Sequence, residues 1–185
     1  MSAKVLFLIF STGAPRRASV ELIRSLDRMG LTWDIGFHWF KLFTGDPLND
    51  MFAQMRQSKG FDFGIFLPDD IGVDEPEQLA QLPAYNAPVV DGLVPVWNPG
   101  GLYWNCYHLT PDDVLFSVDD TQMSNFEQVY QTSLACACYR RDVVEQAVDF
   151  PFKLTTNDDG TLSDQGGMDV TLCRNLHTHD IHLYV

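Results

Sequence analysis

The stretch Phe61-Asp-Phe-Gly-Ile-Phe-Leu-Pro-Asp-Asp70 is the strongest indication of the fold class. It is a short apolar run that leads directly into two adjacent acids. The segment from Phe61 to Leu67 has the length of a strand. Its nearly unbroken apolar character predicts a strand that is covered on both faces of a sheet. Gly60 comes just before it and ends the preceding helix. Asp69 and Asp70 are therefore predicted to lie where a buried strand ends.

A second continuous apolar run, Val5 to Phe10, predicts the first core strand. Residues 11–15, Ser-Thr-Gly-Ala-Pro, break this strand, and the segment from Ala18 to Met29 then carries apolar residues at helical spacing. A strand, a short loop and a helix in this order put the loop at the carboxyl edge of a sheet, where open α/β folds bind their ligands.

The rest of the chain alternates between strand and helix signals, which predicts an α/β fold in one domain over residues 1–185. Further strands are predicted over Trp33 to Phe43, Ala87 to Val96, from Leu115, over Ser133 to Tyr139 and over Ile181 to Val185. Helices are predicted over Leu48 to Ser58, Glu75 to Leu82, Arg141 to Val148 and Gly167 to Leu176, and residues 97–104 are predicted as an aromatic-rich loop.

The charge balance narrows the class of partner. With 12 basic against 25 acidic residues, the formal net charge is -13, which opposes binding to nucleic-acid phosphates or to an anionic membrane surface. A small ligand is the expected partner. The chain has no apolar run near the ~20 residues that cross a bilayer and no signal-peptide pattern, so a cytoplasmic location is expected, in the host cytoplasm if the protein is viral.

The four cysteines have neither the number nor the spacing of a disulfide framework. Cys136 and Cys138 alternate as strand residues do, and they are expected to face one side of the sheet as buried free thiols. They would make half of a zinc site, but the sequence has no second pair to complete it.

The acidic pair at the strand end has two interpretations. Adjacent carboxylates can bind a hard divalent cation such as Mg²⁺ or Mn²⁺, while the phosphates of a ligand supply further oxygens. Alternatively, Pro68-Asp69-Asp70 is good turn chemistry, and aspartate often caps the next helix.

A second cluster, Asp164-Gln-Gly-Gly-Met-Asp169, lies just before a predicted helix. Its two glycines let the backbone approach a ligand closely, and Asp169 is a candidate general base. The alternative is that Asp169 only complements the positive end of the helix dipole.

The order of these parts resembles the GT-A fold of nucleotide-sugar glycosyltransferases, especially the small single-domain members in family-2-like groups and in viruses. The resemblance rests on the first strand and loop, on the helix from Pro47 to Arg56, on Phe63-Gly-Ile-Phe-Leu-Pro-Asp-Asp-Ile71, and on the segments 135–144, 150–152 and 166–174. It implies a Rossmann-related, mixed and mainly parallel sheet that is flanked by helices. It also implies that Phe63 to Ile71 ends in a DxD-like metal-binding motif.

The resemblance also implies roles for individual residues. Because Pro68 stands where many members have the first acid, Asp70 would bind Mn²⁺ or Mg²⁺, and Asp69 would face the donor sugar or ribose. His179 and His182 are candidates for a further metal ligand after the last helix. Asp169 would be the catalytic carboxylate. The other candidates are Thr12, Gly13, Arg16, Arg17 and Asn49 for the nucleotide-sugar donor, and Trp97, Tyr103 and Trp104 for the acceptor.

The function implied is metal-dependent transfer of a sugar from a nucleoside-diphosphate sugar, UDP-linked, to an unidentified acceptor, with inversion favoured over retention. Two alternatives stay open. One is a catalytically idle nucleotide-sugar-binding module. The other is a metal-dependent nucleotidyltransferase, since such enzymes also place carboxylates at strand ends around Mg²⁺.

Overall fold

The computed structural model describes residues 3–11, 17–29, 32–39, 45–69, 71, 73, 75–112, 114–117, 126–146 and 168–185. The strands are β1 (Lys4–Ser11), β2 (Thr32–Trp39), β3 (Phe63–Pro68), β4 (Val89–Asp91), β5 (Pro95–Asn98), β6 (Gly101–Trp104), β7 (Cys106–Leu109), β8 (Leu115–Ser117), β9 (Gln128–Val129), β10 (Gln131–Thr132), β11 (Ala137–Arg140) and β12 (Leu183–Tyr184). The helices are α1 (Arg17–Ser25), α2 (Gly45–Gln57), α3 (Gln81–Ala84), α4 (Arg141–Gln146) and α5 (Met168–Thr178), with 3-10 turns at Leu26–Met29 and Pro76–Ala80.

The main sheet has seven strands in the order β2-β1-β3-β11-β4-β12-β9. Strands β2, β1, β3, β4 and β12 run in one direction, whereas β11 and β9 run against their neighbours. Helices cover the sheet on both faces. The predicted α/β class, with a mixed and mainly parallel sheet, is confirmed.

Strand β1 shows why the sheet needs two covering layers. Its side chains alternate: Leu6 and Leu8 belong to the core under α2, α4 and α5, and Val5, Phe7 and Ile9 belong to the core under α1. All five are buried. A strand that is apolar on both faces is stable only at the centre of such a sheet.

Helix α2 is held against the sheet from two directions. Phe52 packs edge-to-face on Phe66 and Tyr139, with ring centroids 5.9 and 5.4 Å away. At the other end, the guanidinium of Arg141 donates to the carbonyl oxygens of Ser58 at 2.5 Å and Arg56 at 3.2 Å. A cation at a helix C-terminus satisfies free carbonyls and complements the dipole, so Arg141 fixes the end of α2 just before β3.

The segment from Trp97 to Trp104 is a β-hairpin, so its prediction as a loop is wrong. β5 and β6 pair antiparallel, with Pro95 opposite Trp104 and Asn98 opposite Gly101. The physical reason is the Pro-Gly dipeptide at residues 99–100, which makes a two-residue turn between two apolar segments. The strand predicted over Ala87 to Val96 is likewise divided after Asp91.

The four cysteines are free and buried, and Cys136 and Cys138 lie in the same core cluster, as the alternation predicted. Among the described helices, none has the length and apolar character needed to span a membrane.

We expect Gly64 to be required by the packing of Met55. A Cβ at position 64 would lie 1.6 Å from the Cε of Met55, whose side chain is fully buried. Gly64→Ala should therefore lower the free energy of unfolding by about 1–3 kcal/mol, measured by urea denaturation. Met55→Ala should cost about 2–5 kcal/mol by leaving a cavity. The double variant should lose clearly less free energy of unfolding than the sum of the two single losses. The reason is that removing the Met55 side chain leaves room for the methyl group added at residue 64. Strict additivity would show that the contact does not limit residue 64.

Candidate functional site

The strand order places a topological switch point at the carboxyl ends of β1 and β3. The chain leaves β1 toward β2 on one side and then returns across β1 to form β3 on the other side. The segments that follow β1 and β3 therefore diverge. Open α/β sheets bind ligands at such a switch point, outside the carboxyl ends of the strands.

Ser11 and Asp69 meet at this switch point. The parallel register pairs Phe10 with Pro68, so the next residue of each strand lies side by side. The hydroxyl of Ser11 donates to Oδ2 of Asp69 at 2.5 Å, and both side chains are buried. The first acid of the predicted pair is thus held in a defined orientation. Asp70, Thr12, Gly13 and Arg16 lie outside the described residues.

The two remaining donor-site candidates lie at the same edge but on different layers. Arg17 begins α1 and is exposed, and its Nε donates to Oε1 of Glu21 at 2.6 Å. Asn49 is buried in the first turns of α2, which follows the carboxyl end of β2. The side chain of Arg17 is thus engaged by its own helix, and Asn49 is the better fixed of the two.

Asp169 lies in the first turn of α5, which begins at the carboxyl edge because it leads back to the start of β12. Burial raises the pKa of Asp169, and the amides at the helix start offset part of the effect. Burial also raises the pKa of Tyr107 on β7, and the nearby Tyr103 and Asp169 add to this rise. Asp169 and Tyr107 are therefore close to each other. Asp169 and Asp69 therefore share an edge of the sheet, on opposite faces.

The structure does not bring His179 and His182 together with Asp69. Through the strand register, Leu183 is level with Gly64, so His182 lies about 20 Å from Asp69 along the strands. Nδ1 of His182 contacts Nε2 of Gln128 at 3.2 Å, and Nδ1 of His179 contacts the Asn175 carbonyl at 2.8 Å. No cluster of three or more His, Cys, Asp or Glu side chains suited to a metal ion occurs within the described ranges.

The three aromatic candidates for the acceptor fall on two faces of the β5–β6 hairpin. Residues opposite each other share a face, so Trp97 and Trp104 lie on one side and Tyr103 on the other. Trp97 is 77% exposed, whereas Trp104 lines a pocket.

That pocket has a volume of about 620 Å³ and was not predicted. It lies between the segment after β3, the Pro76–Ala84 helical turns and the link from β4 to β5. The described residues that line it are Ile71, Val73, Gln78, Leu79, Leu82, Gly92, Leu93, Val94, Pro95, Trp104 and Cys136. The signal in the sequence was the glycine that divides the apolar segment Val89 to Val96, since an isolated glycine in a strand often marks a close approach.

Asp91 is a second feature that the sequence analysis did not identify. It ends β4, is fully buried under α5, and accepts the amide hydrogen of Cys136 on Oδ1 at 3.0 Å. Its Oδ2 has no hydrogen-bond partner among the described residues, and the same holds for the hydroxyl of the buried Tyr139. Burial raises the pKa of Asp91 to about 6, although hydrogen bonds, the largest from Thr132, oppose the rise.

Comparison with known proteins supports the fold. No protein-family model and no curated protein matches the sequence. Among solved structures, A197 from STIV is 17% identical with a TM-score of 0.61, covering 98% of this chain and 80% of that one. The CMP:2-keto-3-deoxy-manno-octonic acid synthetase complexed with CTP is 14% identical with a TM-score of 0.50, covering 98% and 88%. These similarities confirm the predicted GT-A-like, Rossmann-related fold class. At this low identity they concern the fold and not the activity.

The raised pKa of Asp91 predicts a pH-dependent stability. Between its ordinary value of 3.8 and about 6, the folded state binds more protons than the unfolded state. Stability contributed by this group is therefore lost as the pH rises through that window. Asp91→Asn has no proton to lose, so its stability relative to the natural protein should rise by about 2 kcal/mol between pH 4 and pH 7.

Urea denaturation at both pH values measures this difference. Comparing the two pH values cancels any constant cost of placing an amide in the buried site. Asp180→Asn, at an exposed position, is the control and should show no such pH-dependent gain. Equal curves for the two variants would mean that Asp91 keeps its ordinary pKa.

Proposed function

We propose that this protein transfers a sugar from a nucleoside-diphosphate sugar, UDP-linked, to a hydroxyl group of an acceptor. The observation that carries the proposal is the position of Asp69. It is a buried carboxylate, oriented by Ser11, at the switch point between the carboxyl ends of β1 and β3. Asp169 lies at the same edge of the sheet on the start of a long helix.

The donor diphosphate would bind at the carboxyl ends of β1 and β3, next to Asp69 and Asp70. The carboxylates of Asp69 and Asp70 are the ligand type that Mn²⁺ and Mg²⁺ prefer, and Asp70 would hold the ion. When bound, the ion neutralises charge on the diphosphate leaving group. Asn49 would contact the donor from the start of α2, and Arg17, beside Arg16, would contribute positive charge near the phosphates in an otherwise acidic protein.

Asp169 would act as the general base. Its partial burial raises its pKa, which makes the carboxylate a better proton acceptor than an exposed aspartate. The acceptor oxygen forms a bond to the anomeric carbon as the bond from that carbon to the phosphate oxygen breaks. The hydroxyl proton passes to Asp169, and the electron pair leaves with the nucleoside diphosphate. Attack from the face opposite the leaving group inverts the anomeric configuration.

Nucleotidyl transfer is the second candidate. The similarity to a synthetase complexed with CTP favours it, since the shared fold covers 98% of this chain. Its chemistry would use the same acidic edge but would release pyrophosphate from a nucleoside triphosphate. An assay that measures pyrophosphate from CTP or UTP beside UDP from UDP-sugars separates the two reactions. Binding of UDP-sugars without either product would favour an idle binding module.

We expect UDP and UDP-sugars to stabilise the protein only with Mn²⁺ or Mg²⁺ present, because diphosphate and carboxylates otherwise repel each other. Differential scanning fluorimetry with and without chelator measures the shift in melting temperature. Without ligand, Asp70→Asn should have the same melting temperature as the natural protein, but it should lose the metal-dependent shift. Asp112→Asn removes the same charge at an exposed turn position, and it should keep the metal-dependent shift. An equal shift in chelator would exclude a metal bridge.

For Asp169, the catalytic and the structural role predict different measurements. A general base acts only in the transition state, so Asp169→Asn should leave donor affinity nearly unchanged and slow transfer or donor hydrolysis by about 10²-fold or more. A residue that only complements the helix dipole would change stability by about 0.3–1 kcal/mol and leave the rate unchanged. Calorimetry, turnover and melting temperature are compared with those of Asp180→Asn, just beyond the other end of α5. Normal turnover in Asp169→Asn would remove the residue from the mechanism.

A further inference from the structure

The 620 Å³ pocket adjoins the proposed donor site without being part of it. Ile71, which lines one wall, comes two residues after Asp69, and Gly92 follows the end of β4 at the same edge of the sheet. Trp104 contributes the wall from the hairpin. A ligand that occupied the pocket would therefore have one end beside the carboxyl edge of the sheet.

The described side chains that line the pocket are almost all apolar, and they favour an uncharged, apolar group. Among the described lining residues there is no Lys, Arg, Asp or Glu. The polar amide is that of Gln78, and its Nε2 already donates to Oε2 of Glu75 at 2.7 Å. Among these described side chains, a diphosphate would find no cation. The volume falls within the range of about 300–1,000 Å³ that is typical of small-molecule sites.

The apolar surface continues out of the pocket along the hairpin. Pro95 and Trp104 line the pocket, and the next pair along the same face is Trp97 and Leu102. Both of these side chains are largely exposed. An apolar group could thus enter along this face and end in the pocket, which suits an elongated small molecule. The net charge of -13 disfavours an anionic lipid as the occupant.

We propose that the pocket binds an alkyl or aryl group of the acceptor, so that the acceptor is an apolar alcohol, phenol or glycoside and not a free sugar. This assignment of the acceptor class rests on the proposed glycosyl transfer. The pocket holds the apolar group by excluding water from both surfaces, while the hydroxyl end stays at the carboxyl edge.

The test uses the neutral fluorescent probe N-phenyl-1-naphthylamine on the full chain, without nucleotide or metal. Saturable binding at one site per chain is expected. Leu93→Glu puts a charge into the pocket wall and should weaken probe binding at least tenfold. Leu115→Glu is the matched control: Leu115 is 40% exposed and Leu93 39%, but Leu115 lies on β8, away from the pocket. Melting temperatures show that both variants are folded.

A competition arm tests the acceptor class. A p-nitrophenyl glucoside should displace the probe, and glucose at the same concentration should not. Failure of the probe to bind, equal loss in both variants, or loss only in Leu115→Glu would overturn the pocket assignment. Probe binding that the aryl glucoside does not displace would overturn the acceptor class. Neither arm needs a nucleotide, so a failure of the proposed transfer reaction would be seen separately, in the UDP-sugar assays.

Discussion

Strand β1 is buried between β2 and β3, and this burial determines how the helical layers and the crossovers are arranged. Its apolar side chains on both faces require a helical layer on each side, and its two parallel neighbours fix where the chain must cross over. The switch point at the carboxyl ends of β1 and β3 is a direct result. Asp69 meets Ser11 there because the register pairs Phe10 with Pro68, so the next residue of each strand lies side by side.

The same edge of the sheet carries a cost in stability at Asp91. A carboxylate that is fully buried beside thiols and a tyrosine is difficult to ionise, and a more stable core would have an apolar residue there. Its hydrogen bond from the Cys136 amide does hold the turn before β11 against the end of β4. The acid therefore fixes local geometry next to the pocket while it lowers stability at neutral pH.

Local patterns predicted the elements that build the donor side of the site. Continuous apolar runs identified β1 and β3, and Asp69 follows at the end of β3 because its place is fixed by its position in the chain. The prediction failed where pairing between distant segments decides the outcome. No sequence pattern near His182 indicates that β12 runs parallel to β4. This pairing puts His182 at the amino ends of the parallel strands, opposite the edge where Asp69 lies. The β5–β6 hairpin depends on a local signal instead, the Pro-Gly turn at residues 99–100, which the prediction of an aromatic-rich loop did not use.

Neither the whole pocket nor the burial of Asp91 could be predicted from the sequence, because both depend on which faces meet. Gly92 marks a close approach, but nothing in the sequence shows that Trp104, at the end of the β5–β6 hairpin, lines the same cavity. Asp91 appears as a polar interruption of an apolar segment, and its position inside the sheet follows only once β4 is known to pair with β11.

Strand β11 lies between β3 and β4, although it follows β4 by about 45 residues in the chain. During synthesis, β1, β2 and β3 can pair as soon as they emerge, whereas β4 has no partner in the sheet until β11 arrives. The edge of β3 that later pairs with β11 therefore stays open while the residues between β4 and β11 are synthesised. The side chains of this strand are apolar. Folding should begin in the N-terminal three strands and finish late and slowly. Chains that stall before residue 137 would be the ones prone to aggregate.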